Sequence, residues 1–486
     1  MFSVLLGIPL IGAAVCGLNT KRRVLEGATL ITATITFVTS LWLARVVSEQ
    51  SLLASPKGLF FVDALSAFVI IVVAGSFLST AIYSLEYLGR LIQLGTVSIK
   101  QLRLYYSLLN VFLFTMLFVL VSNNLGFLWI GTEATTLATA FLVAFYEKEH
   151  SLEAAWKYVI ICSVGIALAL FGVILTYFAS SSVVGSSANA LHWSVLMSVA
   201  KKLDPSVLKV AFIFILVGFG TKAGLAPMHT WKPDVYGEAP APISGLMAAA
   251  LVNVALYSLL RFYILVHKAL GDAYASNLLL ALGLFSMALA VPFMLVQKDF
   301  KRLLSYSSVE HVGIITFALG LATPLAYFGA LLHMLNNSIA KLLLFFSTGN
   351  MRIAYNSKII RRISGAMHVM PVTATMFILG VFAITGWPPF GVFVSELTIL
   401  TAGFASGNVW MSVFFIGVIT TIFLGFLYYA SSMVWGEPYT KKERAESNTM
   451  TQILFATLLL LLLILGIAMP SAVSEFILKA AKVIEG

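Results

Sequence analysis

The sequence predicts an all-α integral membrane protein of about fourteen transmembrane helices, and three observations carry that reading. Of 486 residues, 60% are hydrophobic and 10% are charged, whereas soluble domains run near ~45–50% and ~25%. Mean hydropathy is +0.98. The apolar residues also fall in long continuous runs of the ~20 residues that a membrane helix needs, not in the ~10-residue alternation of barrel strands. A soluble enzyme, a nucleic-acid binder and a disordered chain are excluded.

Taken in order, the runs lie at about 2–18, 28–47, 62–85, 104–121, 124–145, 154–178, 206–228, 240–266, 277–296, 306–321, 325–349, 370–400, 408–434 and 451–469. The first begins without a basic stretch before Phe2, so no cleaved signal peptide is expected. Polar and cationic loops separate the rest, and a Ser-rich connection, Ser180–Asn189, divides spans 6 and 7. With strict alternation, one side collects nineteen Lys and Arg, among them Lys21, Arg22, Arg23, Lys232, Lys298, Lys301, Arg302, Lys441 and Lys442, and the other collects nine, including Arg261. Cationic loops stay in the cytoplasm. The bias predicts an even count, with both termini on the non-cytoplasmic side of a cell inner or plasma membrane. It also explains the formal charge of +10 without recourse to nucleic acid.

Two runs are interrupted. Gly220–Pro227 carries glycines and Pro227 around Lys222, and Gly386-Trp-Pro-Pro-Phe-Gly391, with Pro388 and Pro389, precedes Glu396. Irregular backbone at membrane depth survives only inside protein or beside water. A pair of Gly/Pro breaks five spans apart is the mark of inverted repeats with a site at the breaks. The expected organisation is one transmembrane domain, 1–486. It comprises three N-terminal helices (1–103), a first five-helix repeat (104–268), a second inverted repeat (276–434) and a C-terminal helix with a short tail (451–486).

Glu133, Lys222, Lys341 and Glu396 lie inside apolar runs. Each costs ~2.5–3.5 kcal/mol at the bilayer centre, so four together are read as functional. Both buried cations are lysines, which change protonation readily where arginine does not. That chemistry suits proton relay, with Glu133 and Lys222 as a switchable pair across helices. His333, Asn336, Asn337 and Lys341 share one helix face. His333 and Asn337 are candidate relays, as are His311, which follows Glu310 near the start of its span, and His229 beyond Pro227. Asp63 and Glu86, near span ends, are explained by snorkelling or capping. Cys16 and Cys162 are too few for an iron–sulfur cluster and are read as structural thiols. No carboxylate–histidine grouping is visible along the chain, so neither a metal nor a cofactor is expected.

Three stretches resemble one family. They are Gly220-Thr-Lys-Ala-Gly-Leu-Ala-Pro-Met-His-Thr-Trp-Lys-Pro-Asp234 with Glu238-Ala-Pro-Ala-Pro-Ile-Ser244; Lys298-Asp-Phe-Lys-Arg-Leu-Leu-Ser-Tyr-Ser-Ser308; and Gly386 through Glu396. The chain is similar over about residues 60–435 to the antiporter-like membrane subunits of respiratory complex I, multisubunit Na⁺/H⁺ antiporters and group 4 membrane-bound [NiFe] hydrogenases. Glu133-Ala-Thr-Thr136, 156–168 and Ser307-Ser-Val-Glu-His-Val-Gly313 look like the branch of hydrogenase-4 component F and formate hydrogenlyase subunits. Ala248 and Asn337 stand where complex I relatives usually or often carry histidine.

The resemblance implies fourteen helices, two inverted five-helix repeats, broken helices 7 and 12, and a non-catalytic, proton- or Na⁺-translocating subunit without cofactor. Glu133 and Lys222 would be the switchable pair, Lys341 the central relay and Glu396 the terminal residue. Implied partners are other membrane subunits, further antiporter-like ones included, peripheral [NiFe] hydrogenase-like and iron–sulfur subunits, lipid, and H⁺ or Na⁺. The alternatives are a subunit of a multisubunit Na⁺/H⁺ antiporter, an antiporter-like subunit of a complex I-type oxidoreductase, and, from another class, a passive scaffold or quinone-site subunit.

Overall fold

All fourteen apolar runs are helical in the computed structural model, which describes residues 1–185, 189–271, 273–437 and 444–486. Lys441, Lys442 and residues 186–188 of the Ser-rich connection lie outside the described residues. Eleven helices are long and apolar enough to cross a membrane: spans 2 to 9, 11, 13 and 14. Span 1, Phe2–Leu18, is shorter, and span 12 consists of two halves, Pro371–Ile384 and Gly391–Ala405. Span 10, Phe300–Gly320, is diluted by Ser305, Ser307, Ser308, Glu310 and His311. The protein is a multi-pass integral membrane protein.

Helix starts follow local chemistry. An oxygen on the residue before the helix captures the free backbone N–H groups of the first turn. Asp63 does this for span 3 (Ala64–Gln93), Ser98 with Gln101 for span 4 (Ile99–Val121), Asn124 for span 5 (Leu125–Val143) and Asp204 for span 7. Asp299, Thr323 and Asn448 do the same for spans 10, 11 (Pro324–Tyr355) and 14 (Thr449–Ile467). Pro205 and Pro324 open their helices where no N–H is needed. Elsewhere glycine sets the spacing. A Cβ on Gly283 of span 9 would fall 2.5 Å from the backbone N of Phe317 and 2.8 Å from the carbonyl of Gly313. Spans 9 and 10 therefore meet backbone to backbone, as small residues permit between membrane helices.

Span 8, Ala241–Leu270, runs through the middle, and its most apolar window is entirely buried. Its turn Met247–Leu251 widens to π-helical spacing. There Asn253 donates to Ser338 of span 11 (2.8 Å), and Ser338 donates to the Ala249 carbonyl (2.8 Å). Neighbouring side chains thus satisfy the backbone that the wider turn releases.

The loop-charge tally needs correction at three positions, since Lys232, Arg261 and Lys301 are all buried. Arg261 makes a bidentate pair with Asp63 (2.7 and 2.6 Å), donates to Ser66 (2.7 Å) and lies against the rings of Phe61, Trp193 and Tyr257. Asp63 is a helix cap and an ion-pair partner at once. Glu86 pairs with Arg90 (2.5 Å) and accepts from the Asn448 N–H. The tail is also more than a loose end. Ser471–Glu485 is an amphipathic helix that buries Ile477, Ala480, Ala481 and Ile484 against spans 3 and 11, with Lys479 bound to the Ser48 carbonyl. Cys16 and Cys162 are free and buried, as read from the sequence.

Candidate functional site

Both breaks fall where the sequence puts them. Span 7 is helical over Pro205–Ala223 and resumes as Trp231–Glu238, with Gly224 in the left-handed region (φ 80°). A helix end leaves carbonyls without partners. Trp231 Nε1 donates to the Thr221 carbonyl (2.9 Å), and Lys232 Nζ donates to that of Ala223 (2.8 Å). The Ala226 N–H reaches Ser286 Oγ of span 9 (2.9 Å). Pro227 lies in this break, and Pro388 and Pro389 lie in that of span 12. There Asn336 Nδ2 donates to the Gly391 carbonyl (2.8 Å).

Lys222 therefore ends up on the last turn of a helix, where the dipole favours a cation. Its Nζ donates to Thr136 Oγ1 (2.6 Å) and to the Tyr158 hydroxyl (2.8 Å). Glu133, one turn before Thr136, accepts from Thr136 Oγ1 (3.3 Å) and from Ser163 Oγ of span 6 (2.6 Å). The expected switchable pair is not in direct contact. The Thr136 hydroxyl stands between the ammonium and the carboxylate, accepting from one and donating to the other, and Glu133 is only partly buried.

Beside the first break lies Lys232, which is fully buried and also donates to the Ser308 carbonyl of span 10 (3.3 Å). On the far side, Lys341 Nζ donates to Ser307 Oγ (2.7 Å) and to the Leu304 carbonyl (3.2 Å). Glu310 acts on it by charge, and the Glu310 Oε2 is buried without a hydrogen-bond partner among the described residues, 3.9 Å from His311 Nε2. His311 Nδ1 and His333 Nε2 are 2.8 Å apart, and their rings stack at 5.0 Å. His333 Nδ1 meets Ser395 Oγ at 2.9 Å. Glu396 follows on the second half of span 12. One ligand atom each of His311, His333 and Glu396 lies within 4.8 Å of the other two, all buried. The expectation that no carboxylate–histidine grouping exists is overturned, because the three residues come from three different helices.

The structure thus brings Lys222 and Glu133 together through Thr136, and Lys341, His311, His333 and Glu396 into a second cluster. His229 joins neither by a hydrogen bond. Its ring packs near Phe293 and Tyr306, and its Nδ1 has no partner among the described residues. Asn337 is buried with Oδ1 unpartnered. Sequence reasoning passed over Thr136, Tyr158, Ser163, Lys232, Ser395 and, above all, Glu310. Because span 10 starts at Phe300 and not near residue 306, Glu310 sits at mid-helix, not near its start. An ionisable residue at that depth is the signal that could have found it.

A helical membrane bundle with two broken helices and buried lysines beside them, approached by hydroxyls and carboxylates, defines the class of antiporter-like membrane subunits. The chain belongs to the NADH:quinone oxidoreductase/Mrp antiporter transmembrane family, which matches residues 122–425. A hydrogenase-4 component F homolog from Methylacidiphilum infernorum is 40% identical over 405 residues, or 82% of this chain and 85% of that protein. Among solved structures, a chain of the archaeal membrane-bound sulfane sulfur reductase, a respiratory membrane complex, superposes with a TM-score of 0.88 at 24% identity, covering 99% of this chain and 97% of that one. A chain of the Mrp complex from Dietzia sp. DQ12-45-1b gives 0.86 at 16% identity, covering 100% and 99%. These two similarities establish the fold.

Proposed function

We propose that this chain is the proton-translocating membrane subunit of a redox-driven complex, of the membrane-bound [NiFe] hydrogenase or formate hydrogenlyase kind. Electron transfer takes place in peripheral [NiFe] hydrogenase-like and iron–sulfur subunits. The chain lies in the cell membrane beside other membrane subunits, with both termini outside the cytoplasm. The observation that carries the reading is the company its lysines keep. Lys222, Lys232 and Lys341 are fully buried, and among the described residues each donates only to hydroxyl or carbonyl oxygens. None is locked in a carboxylate ion pair, so each can give up a proton at modest cost. The likeness to the hydrogenase-4 component F homolog supports the choice of complex.

In this reading, the redox arm perturbs Glu133 and, through Thr136, Lys222. Lys222 releases or takes up a proton, Lys232 links the two breaks, Lys341 passes the proton past Glu310 to His311 and His333, and Glu396 connects with the outside. Ordered water bridges the intervals that side chains do not span.

The test is Lys222→Ala in the assembled complex, reconstituted into vesicles. Electron transfer should persist and redox-driven proton uptake should be lost. Uptake at the native rate would refute the role of Lys222. If the purified complex carries only small hydrophobic partners and no metalloprotein, the chain is a secondary-antiporter subunit and the redox coupling fails.

A further inference from the structure

The buried pair of histidines beside Glu396 has the make-up of a metal site as well as of a proton relay. Two imidazole nitrogens and a carboxylate oxygen are the donors that zinc-class ions take, whereas sodium, magnesium and calcium take oxygen. His311 on span 10, His333 on span 11 and Glu396 on the second half of span 12 present one such atom each, mutually within 4.8 Å. No hydrogen bond or ion pair engages the Glu396 carboxylate among the described residues, and it lies against the bare Cα of Gly386. A Cβ at Gly386 would fall 2.0 Å from Oε2. An unpartnered buried carboxylate facing two imidazoles is costly without a proton or a cation.

The outer groups orient the donors. Ser395 Oγ gives its one proton to the Val392 carbonyl (2.8 Å). Towards His333 it therefore accepts, so the Nδ1–H of His333 donates to it, and His333 Nε2 accepts from His311 Nδ1 with the lone pair that a metal would take. A metal at that point takes the place of the proton on His311 Nδ1, which shifts to Nε2, 3.9 Å from Glu310 Oε2 and beyond hydrogen-bond reach of it. His333 thus has its second nitrogen held by Ser395, as metal-binding histidines almost always do. Tetrahedral bonds of about 2.0–2.1 Å set ligand atoms about 3.3 Å apart, so the 2.8 Å between His311 and His333 must open by about half an ångström.

We infer that His311, His333 and Glu396 bind a divalent transition-metal cation of the zinc class, with water as the fourth ligand, and that an ion held there closes the proton line. The closing half rests on the proton-translocating reading above; the binding half does not. An ion at this point removes both imidazoles and Glu396 from proton exchange.

The probe is Co²⁺ alone, titrated into the full chain purified in detergent and then displaced with Zn²⁺. One Co²⁺ per chain should bind with the intense visible absorption of a four-coordinate ion. His333→Gln and Glu396→Gln should abolish it. Ser395→Ala, which removes no metal ligand but only the hydroxyl that holds His333 Nδ1, should weaken binding about tenfold by freeing the imidazole. Thermal melting of each variant shows that it is folded. Non-saturating uptake, or native binding in folded His333→Gln, overturns the site and leaves the proton line standing. In vesicles holding the assembled complex, Zn²⁺ should stop proton uptake by the native chain and spare electron transfer through its partners. Saturable binding with uninterrupted uptake keeps the site and overturns its place on the line.

Discussion

Thr136→Val is the sharpest test of how the first cluster works. The change keeps the shape of the side chain and removes one hydroxyl. That hydroxyl accepts from Lys222 Nζ at 2.6 Å and donates to Glu133 at 3.3 Å. A hydrogen bond to a charged group is worth about 1.5–3 kcal/mol. Lys222 keeps its bond to the Tyr158 hydroxyl, and Glu133 keeps its short bond from Ser163, so neither charge is stranded and the fold should hold. What is lost is the hydroxyl that connects the two among the described residues. If the connection carries the coupling, a loss of about 1.5–3 kcal/mol in the transition state slows transport about 10- to 150-fold. The assay is the initial rate of redox-driven proton uptake per electron pair in vesicles, with melting of the detergent-solubilised complex measured alongside. Uptake within a factor of two of native, with a lowered melting temperature, would mean that Thr136 is packing and that Glu133 and Lys222 act separately.

The remaining predictions follow from burial. Lys232→Leu removes the cation beside the first break and strips the Ala223 and Ser308 carbonyls of their donor, so it should lower the melting temperature and, in the complex that assembles, reduce proton uptake at least tenfold; native uptake would show that Lys222 and Lys341 communicate without it. Asp63→Asn leaves the Arg261 guanidinium buried and unpaired and should cost about 3–5 kcal/mol, whereas Asp63→Asn with Arg261→Met should recover most of that; the reading is wrong if the double variant melts below the single one. Gly283→Val drives a branched side chain into the backbone of span 10 and should destabilise by at least the ~1–3 kcal/mol of overpacked cores, visible as lost monodisperse protein on size exclusion.

The helices, their order and both breaks were legible in the sequence because each rests on a local property. Continuous apolar runs specify spans, and Gly and Pro interrupt them. Charge in a span was legible too, and Glu133, Lys222, Lys341 and Glu396 stood out by cost alone. The contacts were not legible, since hydrogen bonds such as Lys222–Thr136 and His311–His333 join residues 86 and 22 positions apart. Lys232 read as a loop cation because nothing local says that the chain past the break is a buried helix; its burial depends on the carbonyls that the end of span 7 leaves free. The His311–His333–Glu396 grouping was missed for the same reason, as no spacing rule covers donors on three helices. Glu310 was different: an error of a few residues in the start of span 10 moved a mid-membrane carboxylate to an apparent helix end.

The use of hydroxyls in place of direct ion pairs has a physical logic for a relay. A lysine and a glutamate in direct contact at low dielectric bind each other strongly, and such a pair resists losing its proton. A hydroxyl between them keeps both charges solvated while weakening their mutual attraction by distance. The proton on Lys222 is then held by Thr136 and Tyr158, groups that accept but do not compete for it. Lys341 is arranged alike, with Ser307 and a carbonyl as acceptors and Glu310 acting on it by charge without a bond. Each cluster thus has a lysine on hydroxyl or carbonyl oxygens and a carboxylate at a remove: Thr136 before Glu133 in the first, Ser307 with Glu310 in the second. A change in either carboxylate shifts the neighbouring lysine without having to break an ion pair first, which is the property that a proton switch operated from a distant redox arm requires.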